Sequence, residues 1–250
     1  MDRLVHVPPS IAFTGTGTPA ARHGLDPGSR QELDISSKNR LNVSDFEWEG
    51  KMVKISAILL GAGESKRMGV NKLGLPWGTK TVLERCLDSL LQAKVNEVVV
   101  VLSKKTRGMR GLLEHAGVKV VMNPVFKKGM STSIRKGVRA IDPMSKGILI
   151  ALGDHPFLKT RTIDALIRAF VREKGSIIVP RFQGEKGHPV IFHRKHQTEL
   201  LKLKGDVGAR SIMERHPEEV WVVDVRSEGV VRDIDTRDDY RKGMKAQRSK

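Results

Sequence analysis

Residues 55–72 read I-S-A-I-L-L-G-A-G-E-S-K-R-M-G-V-N-K, and five of the first six are apolar. That is the composition of a strand buried on both faces of a parallel sheet. The chain then enters a loop holding Gly61, Gly63 and Gly69, with Lys66, Arg67 and Lys72 interleaved. Glycines let backbone approach a ligand closely, and their exposed N–H groups cradle oxyanions. Three cations beside them suit several phosphates at once, so a triphosphate-binding loop is expected here.

Downstream the pattern alternates. Thr81 and Glu84 form a capping box ahead of an apolar stripe of Val82, Leu83, Cys86, Leu87, Leu90 and Leu91. Buried strands are expected over 96–102, 118–122, 147–152 and 176–180. Helices are expected over 104–115, from the Gly129 loop to 141, and through Ile163, Leu166, Ile167, Phe170 and Val171. Strand–helix alternation at this spacing predicts an α/β fold: a doubly wound, mostly parallel, Rossmann-like sheet with right-handed crossovers. Ligands of such sheets sit at the carboxyl ends of the strands, where the glycine loop and Asp154 both fall. After Pro180 the pattern loosens into a lid or acceptor-side elaboration, and the chain returns through 220–225 and 230–234. Trp77 is expected to pack in the loop and Trp221 in a strand.

Upstream, residues 1–51 contain T-G-T-G-T-P-A, D-P-G-S and S-S-K-N without a sustained apolar period. They are expected to be a disordered extension, or sequence ahead of a natural start near Met52, leaving 52–250 as one domain. The extension holds 6 Lys+Arg against 7 Asp+Glu, so the net charge of +17 resides entirely in the domain. So basic a surface attracts anions, polyphosphates and nucleic acid among them. Aromatics make up only 4% and do not alternate with basic residues, which disfavours a base-stacking surface. A single cysteine, Cys86, excludes an intrachain disulfide and a thiolate metal cluster, so a reducing, cytoplasmic compartment is expected. The longest apolar run, 98–102, is too short for a bilayer, and Pro8 and Pro9 interrupt any signal peptide.

The glycine loop fails two familiar patterns. No G-x-x-x-x-G-K-[ST] string is present, and G-x-G-x-x-G meets Lys66 at its last position. Residues 129–133, G-M-S-T-S, lack the closing glycine of a nucleophile elbow. Residues 60–72, L-G-A-G-E-S-K-R-M-G-V-N-K, instead resemble L-x-x-G-x-S-x-R-M-G-x-x-K, the signature of nucleotidyltransferases that activate molybdopterin. N-P at 123–124 with G-M-S-T-S at 129–133, G-D-x-P at 153–156, G-H-P-V at 187–190, G-D-x-G-A-R at 205–210 and D-I-D-T at 233–236 follow in the order of that family. The resemblance spans about residues 54–241 and is closest to the cytidylyltransferase branch. That branch typically reads L-A-A-G and G-D-Q-P, the guanylyltransferase branch L-A-G-G. Ala62 therefore favours CTP, whereas Gly61 and His155 depart from the pattern.

The resemblance implies a GT-A-like nucleotidyltransferase domain, attack of an acceptor phosphate on the α-phosphorus of CTP, and release of pyrophosphate. Arg67, Lys72 and Asp154 are the expected catalytic residues. Nucleotide contacts are expected from Leu60, Gly61, Ala62, Gly63, Arg67, Lys72, Asn123, Gly129, Ser131 and Ser133. A carboxylate at a strand end facing phosphates suits Mg²⁺, which places the metal on Asp154 with Asp235, and Asp233 as runner-up. Helix capping competes as an explanation of both Asp154 and Asp235. His188, Asp206 and Arg210 match the acceptor-side motifs. The implied partners are CTP (or GTP), a phosphorylated pterin-type acceptor, and a molybdoenzyme or its chaperone. A guanylyl- or other NTP-transferase with a different acceptor is the alternative, and a basic RNA- or anion-binding module without turnover is a further one. His193 and His196, three apart and with no third ligand singled out nearby, are expected to be surface histidines.

Overall fold

In the computed structural model every residue of β1 (Ile55–Gly61) is buried. The structure describes residues 47–48, 51–172, 175–206 and 208–248. The extension expected over 1–51 lies outside them except at residues 47–48 and 51.

β1 pairs in parallel with β2 (Glu97–Leu102) on one edge and β4 (Gly147–Leu152) on the other. β3 (Lys119–Met122) extends the sheet beyond β2, also in parallel. Beyond β4 the order continues with β7 (Val190–His193), β5 (Ile177–Phe182) and β8 (Val220–Asp224). β7 runs antiparallel between β4 and β5, and β6 (Glu185–Lys186) folds back onto the end of β5. The eight strands thus form the mixed, mostly parallel sheet that the alternation predicts.

Side chains alternate across each strand, so a strand apolar at nearly every position needs cover on both faces. Ile55, Ala57 and Leu59 pack with α1 (Val82–Leu91), α2 (Arg110–His115) and α4 (Thr160–Arg172). Ile58 and Leu60 face α3 (Met130–Val138), α5 (Gln197–Lys202) and α6 (Arg210–Arg215). Thr81 caps α1 as expected, its hydroxyl accepting from Glu84 N and the Glu84 carboxylate accepting from Thr81 N. Leu91, expected in the stripe, is exposed at the last turn. The thiol of Cys86 donates to the Gly153 carbonyl, and burial pushes its pKa up, so it is an inert core group.

Three segments differ from the sequence expectation. Asn96 does not join β2, because its side-chain oxygen accepts from Ile55 N and closes the sheet end instead. Residues 104–115 divide into a 3-10 turn, Lys104–Met109, and the short α2. Residues 230–234 form no strand. They follow a 3-10 turn, Glu228–Val230, and run past the end of β4, where Ile234 N donates to the Asp154 carbonyl at 3.0 Å. That bond sets Asp233 and Asp235 beside Asp154. The last helix, α7 (Arg237–Arg248), packs Tyr240 and Met244 against the face that holds Trp77. Among the described residues no helix is long and apolar enough to cross a membrane.

Candidate active site

The carboxyl ends of β1 and β4 open into a cleft of about 660 Å³. Leu60, Ala62 and Gly63 line it, but Gly61 does not. A Cβ on Gly61 would sit 3.2 Å from Leu102 Cδ2 and 3.3 Å from Leu83 Cδ1, and its carbonyl accepts from Thr106 Oγ1 at 2.9 Å. Gly61 thus serves the packing behind the wall. Beyond it the loop turns at Ser65, which adopts a left-handed conformation (φ 52°). The Ser65 hydroxyl accepts from Lys72 N at 3.2 Å, and this closure returns Lys72 to the cleft floor.

Lys72 Nζ lies 2.6 Å from Asp154 Oδ2 and 2.7 Å from Asp235 Oδ1. Arg67 Nη1 meets the other oxygen of Asp235 at 2.7 Å. Burial by itself would lower the Lys72 pKa, but the facing Asp154 and Asp235 outweigh it and the net shift is upward, so the ammonium is retained. Asp233 stands in the same group. Burial, then the charges of Asp235 and Asp154, raise its carboxyl above the ordinary value. Asp154, Asp233 and Asp235 each offer an oxygen within 4.8 Å of the others. Asp154 Oδ1 is buried and has no hydrogen-bond partner. An orphaned carboxylate oxygen beside two more carboxylates is a hard-oxygen donor set that fits a divalent cation. Both sequence candidates, Asp233 and Asp235, reach that group.

The opposite wall is the start of α3. Gly129 has φ 101°, and a Cβ there would fall 2.3 Å from the Gly205 carbonyl oxygen. Only glycine fits, and the close approach draws in the loop after α5, where Asp206 Oδ1 accepts from Met130 N at 3.0 Å. Gly129, Ser133 and Asp206 therefore line the cleft. Asn123 and Ser131 are fully buried and do not line it. The Asn123 amide donates to Thr132 Oγ1 at 2.8 Å and to Ser133 Oγ at 2.9 Å, so it holds Ser133 from behind.

The expected acceptor-side residues separate. Asp206 is in the cleft. His188 does not line it; it stands edge-on to His155 with ring centroids 5.9 Å apart, and burial pushes its pKa down to about 4. Arg210 is exposed, pairs with Glu214 at 3.1 Å and does not line the cleft. Lys127 and Lys128 do line it and were not singled out from sequence, although they directly precede Gly129. His196 corrects the expectation of a surface histidine. It is only 2% exposed and meets Glu199, three residues on, together with His216, which sequence distance concealed.

Comparison with known proteins identifies the family. The MobA-like NTP transferase domain matches residues 57–220. The chain is 25% identical over 191 residues to a molybdenum cofactor cytidylyltransferase of Escherichia coli, covering 76% of this chain and 95% of that protein. It is 31% identical to the purine catabolism protein PucB of Bacillus subtilis, covering 73% and 92% respectively. The crystal structure of Rv0371c from Mycobacterium tuberculosis superposes with a TM-score of 0.69 at 31% identity, covering 77% of this chain and 98% of that one. A second structure of Rv0371c is a complex with manganese (TM-score 0.65, 28% identity, covering 77% and 98%). With its glycine loop, aspartate cluster and sheet order in place, the chain belongs to the MobA-like NTP transferase family and is a nucleotidyltransferase.

Proposed function

We propose that the protein transfers CMP from CTP to the terminal phosphate of molybdopterin or its molybdenum-loaded form, releasing pyrophosphate. One observation carries this reading: Lys72 stands between Asp154 and Asp235 on the floor of a cleft bounded by Gly63 and Ser133. The family membership and the cytidylyltransferase among the relatives support the choice of substrate class.

In this reading a phosphate oxygen of the acceptor bonds to the α-phosphorus, and the bond from that phosphorus to the bridging oxygen breaks. Pyrophosphate leaves with the electron pair. The nucleophile is already an anion, so no general base is needed. The obstacle is repulsion between two polyanions, which positive charge and backbone donors offset. Lys72 and Arg67 hold the triphosphate over the amides of the Ala62–Gly63 turn, and Lys127 and Lys128 add charge from the opposite lip. Ala62 and Ser133 border the base. Asp154 and Asp235, with Asp233, would hold Mg²⁺, which when bound neutralises phosphate charge. His188 and Asp206 support the acceptor side.

Pyrophosphate release from CTP, GTP, ATP and UTP, with and without molybdopterin, tests the proposal. Release that requires the acceptor and is fastest with CTP is expected. Equal release with every nucleotide, or none with any, would reject it.

A further inference from the structure

A second set of metal-capable side chains lies at the other end of the sheet. The cleft is built on Leu60 and Leu152, at the carboxyl ends of β1 and β4. The pairs His193–Gly147 and Val220–Ile177 mark the opposite ends of β4, β5 and β8. There His196, ending the turn after β7, meets Glu199 in the first turn of α5 and His216 just past α6. Each offers a ligand atom within 4.8 Å of the other two. His216 Nε2 is 2.9 Å and His196 Nδ1 3.4 Å from the same oxygen, Glu199 Oε1.

The surrounding hydrogen bonds decide which nitrogen of His196 carries a hydrogen. Ser176 donates its hydroxyl proton to Glu219 Oε2, so its oxygen can only accept from His196 Nε2, 2.7 Å away. Glu219 Oε2 itself, 3.0 Å from Nε2, is an acceptor too. Nε2 therefore carries a hydrogen, and Nδ1 is the nitrogen that faces the Glu199 carboxylate. Nδ1 and the carboxylate oxygen are close enough for one cation to be held by both. A histidine whose outer nitrogen donates to a carboxylate while the inner one faces another ligand group is the arrangement of metal-ligating imidazoles.

We propose that His196, Glu199 and His216 bind a late first-row divalent cation, Zn²⁺ foremost, through His196 Nδ1, Glu199 Oε1 and His216 Nε2. Two imidazoles and one carboxylate suit such an ion and not Mg²⁺ or Ca²⁺. Arg215 holds Glu199 Oε2 at 3.0 Å and leaves Oε1 for the metal, while Lys195 pairs with Glu219 at 2.8 Å. Glu218 Oε1 lies 4.0 Å from His216 Nδ1, beyond hydrogen-bond distance. The side chains of His216 and Glu199 are 30% and 29% exposed, which gives the ion a way in. Bound there, it would tie α5 to the segment after α6. Those are the two ends of the connection that carries Gly205 and Asp206 to the cleft.

The full chain, stripped with chelator, would be dialysed against zinc chloride with excess Mg²⁺ to occupy the aspartates, and its zinc measured by elemental analysis. The parent and Asp235→Asn are expected to retain about one zinc per chain, and zinc should raise the melting temperature of the parent. His216→Gln should retain none and show no zinc-dependent rise; Glu199→Gln repeats the test if His216→Gln fails to fold. No zinc in the folded parent would mean that a proton, shared in an ion-pair cluster, fills the gap, and would overturn the proposal. Full retention by both variants, or loss in Asp235→Asn, would overturn it equally.

Discussion

Lys72 and Asp154, one from the glycine loop after β1 and the other from the turn after β4, meet at 2.6 Å. The lysine occupies ground between carboxylates that would otherwise repel one another. Removing it should cost transition-state stabilisation on the scale of a lost oxyanion donor, about 10²–10³-fold in kcat. Lys72→Met is therefore expected to fold and to release pyrophosphate at least a hundredfold more slowly (about that, on the same scale). Near-parental turnover would remove Lys72 from the chemistry.

Asp154 contributes the orphaned oxygen of the acidic group. Asp154→Asn should raise the concentration of Mg²⁺ or Mn²⁺ needed for half-maximal activity by about tenfold or more. EDTA should abolish turnover of the parent, and added metal should restore it. Activity indifferent to EDTA would exclude a divalent ion at Asp154, Asp233 and Asp235.

Ala62 lines the cleft where the two branches of the resemblance differ. In the proposed reading its methyl group narrows the space beside the base. Ala62→Gly should therefore move the ratio of kcat/KM for GTP over CTP upward by roughly tenfold, the worth of one methyl-sized contact. An unchanged ratio would place nucleotide choice elsewhere on the wall.

Gly129 tests the opposite wall. A Cβ placed 2.3 Å from the Gly205 oxygen must push that loop away, on top of the strain of a positive φ. Gly129→Ala should destabilise the fold by about 1–3 kcal/mol and raise KM for the nucleotide. Thermal melts and initial rates measure both, and a parental KM would show that the Gly205–Asp206 contact is dispensable.

Asp164 makes a prediction about pH. Burial raises its carboxyl above the ordinary value, against the opposing bond from Lys94 N and the charges of Arg168 and Lys94. Folding thus favours the protonated form. The contribution is full below the unfolded-state value and is lost as pH rises through the folded one. Asp164→Asn keeps an oxygen for Lys94 N without the buried charge, so it should melt above the parent near pH 7, with the gap closing toward pH 3. A lower melting temperature at neutral pH would contradict this.

Much of the molecule was legible in the chain. The run of 55–60 dictates a two-faced strand because a backbone with period two exposes every second side chain to each layer. The glycines that follow dictate a turn after that strand, and Thr81 with Glu84 dictates where α1 begins. Relationships between distant segments were not legible. Gly61, a presumed phosphate contact by its place in the motif, is spent on packing against Leu102 and Leu83. Asn123 acts through Ser133, and Arg210 turns outward to Glu214. His196 could not be seen as buried, because Ser176, His216 and Glu219 reach it from ahead of β5 and from the segment between α6 and β8. Local periodicity and turn chemistry are properties of neighbouring residues, so the sequence alone determined the layers and the loop. Which side chains share a charge, a lone pair or a cavity depends on pairings between distant strands, and only the tertiary structure decided those.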